Sequence, residues 1–311
     1  MVRILGLVVA VILLVVWLVL MPKERPTVHA DIVTSNFALY DAVRHLMPPE
    51  IDVQMLLPAG QDMHSFEPTP DDFKRLTHVQ LFVYTSYGLP VTLLDFVAQN
   101  EVAQLRMDSE IEWRQFDKHR HQHAHGDTGH VSQASIDPHY WLDVNNQRNS
   151  LIYIATMLQE KFPAYAPYIQ EQKLDYLAEL ESLEEHIRNA FVQCEIESFV
   201  VSHDAFNYFA HAYGMSTHAI QGLSPQAQPD PATMEAVIEM VESERIATLF
   251  FESFVSDTVA QTIAAQTGCK VDMLHTLANI DAPVSEGQAQ PTYSSLMREN
   301  VAKIAQARRC Q

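Results

Sequence analysis

The 311-residue chain is 47% hydrophobic and 19% charged, a composition that excludes a disordered protein and suffices for one large core or two domains. Its formal net charge of −19 excludes a nucleic-acid binder working through a basic face and is compatible with drawing in cations.

At the N-terminus Arg3 precedes an uncharged apolar stretch, Ile4–Met21, then polar Pro22–Thr27 and Val28-His29-Ala30. Small residues at 28 and 30 read as a signal-peptidase site ahead of Asp31, whereas an apolar run of about 18 residues is also long enough to span a bilayer. Residues 1–30 are thus expected to be a signal peptide or a membrane anchor. Both place residues 31–311 outside the cytoplasm, periplasmic and either secreted or tethered to the inner membrane. No cysteine lies near the segment, which excludes a lipoprotein anchor.

From Asp31 short apolar runs alternate with helical spacing. The pattern predicts a strand at Ile32–Thr34, a helix around Ala38–His45, a strand at Val53–Leu57, a helix from Pro70 to Leu76, a strand at Leu81–Tyr84 and a helix at Leu89–Gln99. The polar insert Phe116–Gln133, rich in histidine and lacking periodicity, reads as a surface loop. Residues 145–192 carry helical apolar spacing (Leu151, Ile154, Leu158, then Leu174, Leu177, Leu180), with Pro163 and Pro167 marking a kink or break. They read as one long connecting helix, in one or two pieces. A second block follows, with strands at Phe199–Ser202, Thr217–Ile220, Thr248–Glu252 and Val271–Leu274, intervening helices at Ala205–Tyr213, Ala232–Val241 and Val255–Thr267, and a last helix from Thr292.

This order predicts an α/β fold of two similar lobes, each a mainly parallel sheet flanked by helices, joined by a long backbone helix. The expected divisions are 1–30, an N-terminal lobe at 31–144 carrying the loop 116–133, the connecting helix 145–192 and a C-terminal lobe at 193–311.

His64, His139, His203 and His275 stand at turns near the ends of predicted strands, two in each lobe. In an α/β fold such ends face one cleft, and converging neutral imidazoles suit Zn²⁺. Asp137 and Asp204 lie beside His139 and His203, where they either orient the rings or serve as a turn residue and a first-turn helix carboxylate. Glu252, ending a strand, reads as a polar cleft residue rather than a reserve ligand. His119, His121, His123, His125 and His130 read as an auxiliary metal-capture tract in the loop, the alternative being a solvated or pH-responsive flap. Of the cysteines, Cys269 precedes a strand and Cys310 ends the last helix, so a Cys269–Cys310 disulfide is expected, with Cys194 a free thiol, the alternative being that all three are reduced.

Four motifs carry a resemblance: Pro58-Ala59-Gly60-Gln61-Asp62-Met63-His64-Ser65-Phe66-Glu67-Pro68-Thr69-Pro70; Asp137-Pro138-His139-Tyr140-Trp141-Leu142-Asp143; Val201-Ser202-His203-Asp204-Ala205-Phe206; and Gly222-Leu223-Ser224-Pro225-Gln226-Ala227-Gln228-Pro229. With them the chain resembles, over nearly all of residues 31–311, the zinc-binding branch of the cluster A-I substrate-binding proteins of metal ABC transporters. The resemblance implies a rigid backbone helix between two lobes and three histidine ligands, carried onto His64, His139 and His203. Manganese-binding relatives have a glutamate where His203 stands, and many relatives have an aspartate where this chain has His275. His275 is expected to be the fourth ligand. The Cys269–Cys310 pair also resembles a disulfide of some zinc relatives.

The function expected is a monomeric, non-catalytic carrier that captures Zn²⁺ and delivers it to an ABC permease for import. The alternatives are a metal-binding adhesin and a zinc-dependent hydrolase; the latter would need an open coordination position and a general base, and no His-Glu-x-x-His motif is present.

Overall fold

Buried β-branched and aromatic residues fix the strands of two parallel sheets. A computed structural model of the chain describes residues 30–115, 136–221, 229–252, 256–280 and 290–311. The N-terminal segment, the five histidines of the 116–133 insert and residues 222–228 of the fourth motif lie outside the described residues.

The first sheet contains β1 (Ile32–Thr34), β2 (Val53–Met55), β3 (Leu81–Tyr84) and β4 (Gln104–Arg106), in the order β2-β1-β3-β4. The second contains β5 (Ser198–Val201), β6 (Ser216–Ala219), β7 (Thr248–Glu252) and β8 (Lys270–Leu274), in the equivalent order β6-β5-β7-β8. All neighbouring strands are parallel. The two lobes are therefore topological repeats. In each, the first strand lies between the second and the third, so the order reverses at β1/β3 and at β5/β7, where open α/β sheets leave a crevice at the carboxyl ends of their strands. Strand β4 was not legible from hydropathy because only Leu105 of its three residues is buried.

Helices α1 (Phe37–Leu46), α2 (Pro70–Leu76) and α3 (Val91–Gln99) flank the first sheet; α6 (Asn207–Ala212), α7 (Pro231–Ser243), α8 (Thr258–Thr267) and α9 (Tyr293–Ala307) belong to the second lobe. Their starts are written in the sequence: Asn36, Thr69, Asp230 and Thr292 each accept a backbone N–H of the first turn, and Pro70 and Pro231 occupy first-turn positions.

The connecting segment is not one helix. It comprises α4 (Val144–Lys161), a 3₁₀ turn at Pro163–Tyr165 and α5 (Ala166–Ala190), and the two helices pack side by side. Pro163 ends the first helix and Pro167 fits the first turn of the second. Of the two, α5, about 37 Å long at 1.5 Å per residue, carries hydrogen bonds to both lobes. Tyr176 donates to Asp41 of α1 at 2.5 Å, while Glu184 accepts from Tyr213 at 2.5 Å and Ser182 accepts from Arg298 of α9 at 3.2 Å. Its buried stripe, Ile169, Tyr176, Leu180, Leu183 and Ile187, holds it against both lobes. One hydrophobic core runs through both lobes, including Trp141, Leu183, Phe206, Leu277 and Tyr293, and a smaller one lies around Val200, Val241, Leu249 and Ile263.

The disulfide differs from expectation: Cys194 pairs with Cys310, and Cys269 is a free, partly buried thiol that accepts a hydrogen bond from the Thr267 hydroxyl at 3.1 Å. The C-terminus does not return to the start of β8. It pairs instead with the segment after α5, through Gln311 N–H to Gln193 O at 2.9 Å and Ile196 N–H to Arg308 O at 3.2 Å. Removing a cross-link with a sequence separation of 116 releases a large closure entropy. Cys194→Ser is expected to lower the unfolding free energy by about 3–5 kcal/mol, and Cys269→Ser by less than about 1 kcal/mol. Non-reducing urea denaturation checks both, and equal losses would refute the pairing.

Candidate metal centre

Three of the four strand-end histidines meet. His203 follows β5 directly, at the reversal point of the second sheet, and is buried. His139 sits behind Asp137-Pro138, ahead of a 3₁₀ turn at Tyr140–Leu142, and is likewise buried. His64 is partly exposed in a 3₁₀ turn, Met63–Ser65, whose start is fixed by Asp62 Oδ1 accepting the N–H of His64 at 2.9 Å and of Ser65 at 3.2 Å.

One ring nitrogen from each of the three lies within 4.8 Å of the others, the one such group of three or more His, Cys, Asp or Glu among the described residues. His64 Nε2 and His139 Nε2 are 3.2 Å apart. Two nitrogens on a tetrahedral zinc at 2.0–2.1 Å stand about 3.3 Å from each other, so this pair already has the spacing of two ligands. His203 Nε2 is buried with no hydrogen-bond partner among the described residues, a lone pair that a cation would satisfy.

Two buried carboxylates stand behind the rings. Asp137 Oδ1 lies 2.8 Å from His139 Nδ1 and also accepts the His139 backbone N–H at 3.0 Å. Glu252 Oε2 lies 3.1 Å from His203 Nδ1, as an ion-pair contact rather than an aligned hydrogen bond. The Ser202 hydroxyl donates to the same oxygen, and Glu252 Oε1 accepts the His203 backbone N–H at 3.3 Å. Each contact places a carboxylate at Nδ1 and leaves Nε2 to face the centre, the arrangement that orients metal-binding imidazoles. Trp141 packs edge-on against His139 at 5.6 Å between ring centroids and helps close the site to water.

Burial, followed by the nearby His139 and His203 rings, holds the His64 pKa down at about 3. Burial and then His203 do the same to His139, also to about 3. Burial pushes the Asp137 carboxyl up to about 8. For His203 burial acts to lower the pKa, but the charge and contact of Glu252 outweigh it and the ring titrates above its ordinary value.

His275 is not brought to the group. Asn300 clamps its backbone on both sides, accepting from His275 N–H at 2.8 Å and donating to His275 O at 2.7 Å, and the ring Nε2 lies 3.4 Å from Glu299 of α9. The strand-end position expected of a fourth ligand thus holds for the backbone of His275, while its ring is directed to Glu299 and not to the other three. Asp204 is buried near the site and adds its negative charge to the field around Asp137 and His139. Sequence reasoning placed Glu252 in the cleft without its role. The register pairs Val201 with Phe250, so two residues further on His203 and Glu252 are level, a relation that appears only once β5 and β7 are known to be neighbours.

Residues 32–307 match the family described as ZnuA, the periplasmic component A of a zinc-uptake complex. The zinc-binding lipoprotein AdcA of Streptococcus pneumoniae R6 is 27% identical over 280 residues, covering 89% of this chain and 55% of that protein. The high-affinity zinc uptake system protein ZnuA of Bacillus subtilis 168 is 26% identical over 273 residues, covering 87% of this chain and 85% of that one. Among solved structures, the Zn(II)-bound ZnuA-like domain of S. pneumoniae AdcA is 26% identical with a TM-score of 0.70, over 89% of this chain and 98% of that domain. The chain therefore spans about half the length of AdcA and most of the Bacillus protein.

The titrations set a sign for metal binding. A raised pKa means the proton is held at pH values below it, so near neutrality Asp137, pushed up to about 8, carries a proton before a cation binds. A ring-bound cation requires Asp137 ready to accept from His139 Nδ1–H, so the Asp137 proton leaves, whereas His64 and His139 are already neutral. Zn²⁺ binding at pH 7 is expected to release about one proton, with affinity weakening as pH falls below about 8. Asp137→Asn should reduce that release. Calorimetry in two buffers of different ionisation enthalpy measures it, and identical heats in both would overturn the assignment.

Proposed function

This chain belongs to the family of the periplasmic zinc-uptake component A, and from that premise we propose that it captures Zn²⁺ on His64, His139 and His203 and hands it to an ABC permease for import. The observation that carries this reading is the buried imidazole group with a carboxylate behind each of its two innermost rings. Three neutral nitrogens suit zinc, and the anions stabilise a divalent charge that burial would otherwise penalise. The described residues supply three of the four ligands that zinc takes.

A carrier fits this site better than a hydrolase. A zinc hydrolase needs a base free to take a proton from metal-bound water. Glu252, the candidate for that part, has both oxygens engaged, one by the Ser202 hydroxyl and the His203 ring and the other by the His203 backbone N–H. The protein works outside the cytoplasm, where the Cys194–Cys310 disulfide is at home, and residues 1–30 act as signal or anchor. The division into lobes at 31–144 and 193–311, joined by 145–192, is retained in this reading with α5 as the bridge. His119, His121, His123, His125 and His130 serve as a first, weaker trap for the ion.

Zinc titration calorimetry tests the assignment. The chain should bind one Zn²⁺ tightly. His203→Ala is expected to weaken binding by at least about 100-fold, while His275→Ala stays within about threefold and deletion of 116–133 retains the tight site. Tight binding that survives His203→Ala would sink the proposal.

A further inference from the structure

The chain leaving β8 does not stay in the C-terminal lobe. His275 to Ile280 cross to the first lobe as a strap, buried from Thr276 to Asn279. Asn300 anchors one end through the His275 backbone. Trp141 Nε1–H donates to Thr276 O at 2.7 Å, and Phe37 N–H, at the start of α1, donates to Ala278 O at 2.9 Å. Leu277 adopts a left-handed backbone, φ 56°, while fully buried, a conformation that persists only where the surroundings dictate it.

The far end of the strap grips one turn. Asn279 Nδ2 donates to Pro58 O at 2.7 Å and to Gln61 O at 2.8 Å, so both protons of a single amide bind the two ends of the Pro58–Gln61 turn. Gly60 N–H closes the same contact on Ile280 O at 2.9 Å, and Asn279 Oδ1 accepts from Ile280 N–H at 2.8 Å. Gly60 itself has φ 81°, so the turn requires the left-handed conformation there. Gln61 adjoins Asp62, the residue that caps the three-residue turn carrying His64.

The other two ligands do not depend on this grip. His203 belongs to the second lobe. The His139 turn is held to that lobe separately, by the Tyr208 hydroxyl donating to Asp137 O at 3.2 Å and Asn207 Nδ2 donating to Asp137 Oδ2 at 3.3 Å. We propose that Asn279 is a positioning residue that pins the His64 turn over the metal site, so that a strap from the C-terminal lobe sets how long zinc is held. This rests on His64 being a zinc ligand.

A double-mutant cycle on the full chain tests it, with affinity read by chelator competition and release by stopped-flow chase with excess chelator. Asn279→Ala should weaken zinc binding and speed release by about tenfold in the otherwise unaltered chain, and by less than about twofold when His64→Ala is already present. Equal losses in both backgrounds, or no loss in either, overturn the proposal, since a general structural role adds to the loss of His64 instead of vanishing with it. If Asn279→Ala does not fold, Asn279→Ser, which retains one short donor, is measured with the same criterion. Unchanged affinity in His64→Ala alone would instead refute the three-histidine site, an outcome separable from any behaviour of Asn279.

Discussion

Everything about the centre follows from holding three imidazoles against one another out of water. With His64 and His139 nitrogens 3.2 Å apart and His203 completing the group, a second proton among them would meet the first at close range. Two unit charges at 4 Å repel by about 4 kcal/mol at an effective dielectric of 20, on top of the cost of desolvating each. His64 and His139 therefore keep their lone pairs, as their depressed pKa values express. A cluster of bare lone pairs is a poor end state by itself, as the unpartnered His203 Nε2 shows. A divalent cation resolves the conflict, and Asp137 and Glu252 behind the rings make its charge tolerable in a buried place.

The fold meets this constraint through repetition. Each lobe reverses its strand order beside its first strand, which opens a crevice at the carboxyl ends. In the second lobe the crevice receives His203 from β5 and Glu252 from β7, adjacent strands in parallel register. The first lobe contributes His64 after β2 and His139 after β4, both on turns rather than strands. Ligands from two separate sheets keep sub-ångström geometry only if the sheets keep theirs. The shared core, α5 and the 275–280 strap provide that, because separating the lobes would expose the residues that fill the continuous core.

How much of this was readable beforehand divides by physical scale. Strand and helix positions follow from local periodicity and caps, so seven of the eight strands were placed from the sequence, and β4, with Leu105 as its one buried residue, was not. That three of the histidines meet was in part readable: His203 stands just past the end of β5, whereas His64 and His139 sit on turns well beyond β2 and β4 and were placed by their motifs. His275 shows the limit of that logic: its backbone stands where expected, yet Asn300, distant in sequence, sets the local path and its ring lies beside Glu299. The disulfide failed for the same reason. Which cysteine meets Cys310 depends on where the C-terminus docks, and it docks on the segment after α5. The pairing of Glu252 with His203 likewise needs the strand order, which a linear pattern does not contain.

Burial also gives the site a direction. His139 and His203 are almost wholly enclosed, while His64 remains partly exposed on a turn of three residues. For a carrier that binds its ion on these rings, the side of the group nearest solvent is therefore the His64 side. Opening the lobes would break a common core, at a cost that grows with every buried side chain exposed, whereas displacing the His64 turn disturbs one short cap and the contacts that steady it. In the proposed reading the cheaper motion governs exchange, with the exposed His64 as the gate and the two enclosed histidines, each backed by a carboxylate, as the fixed seat.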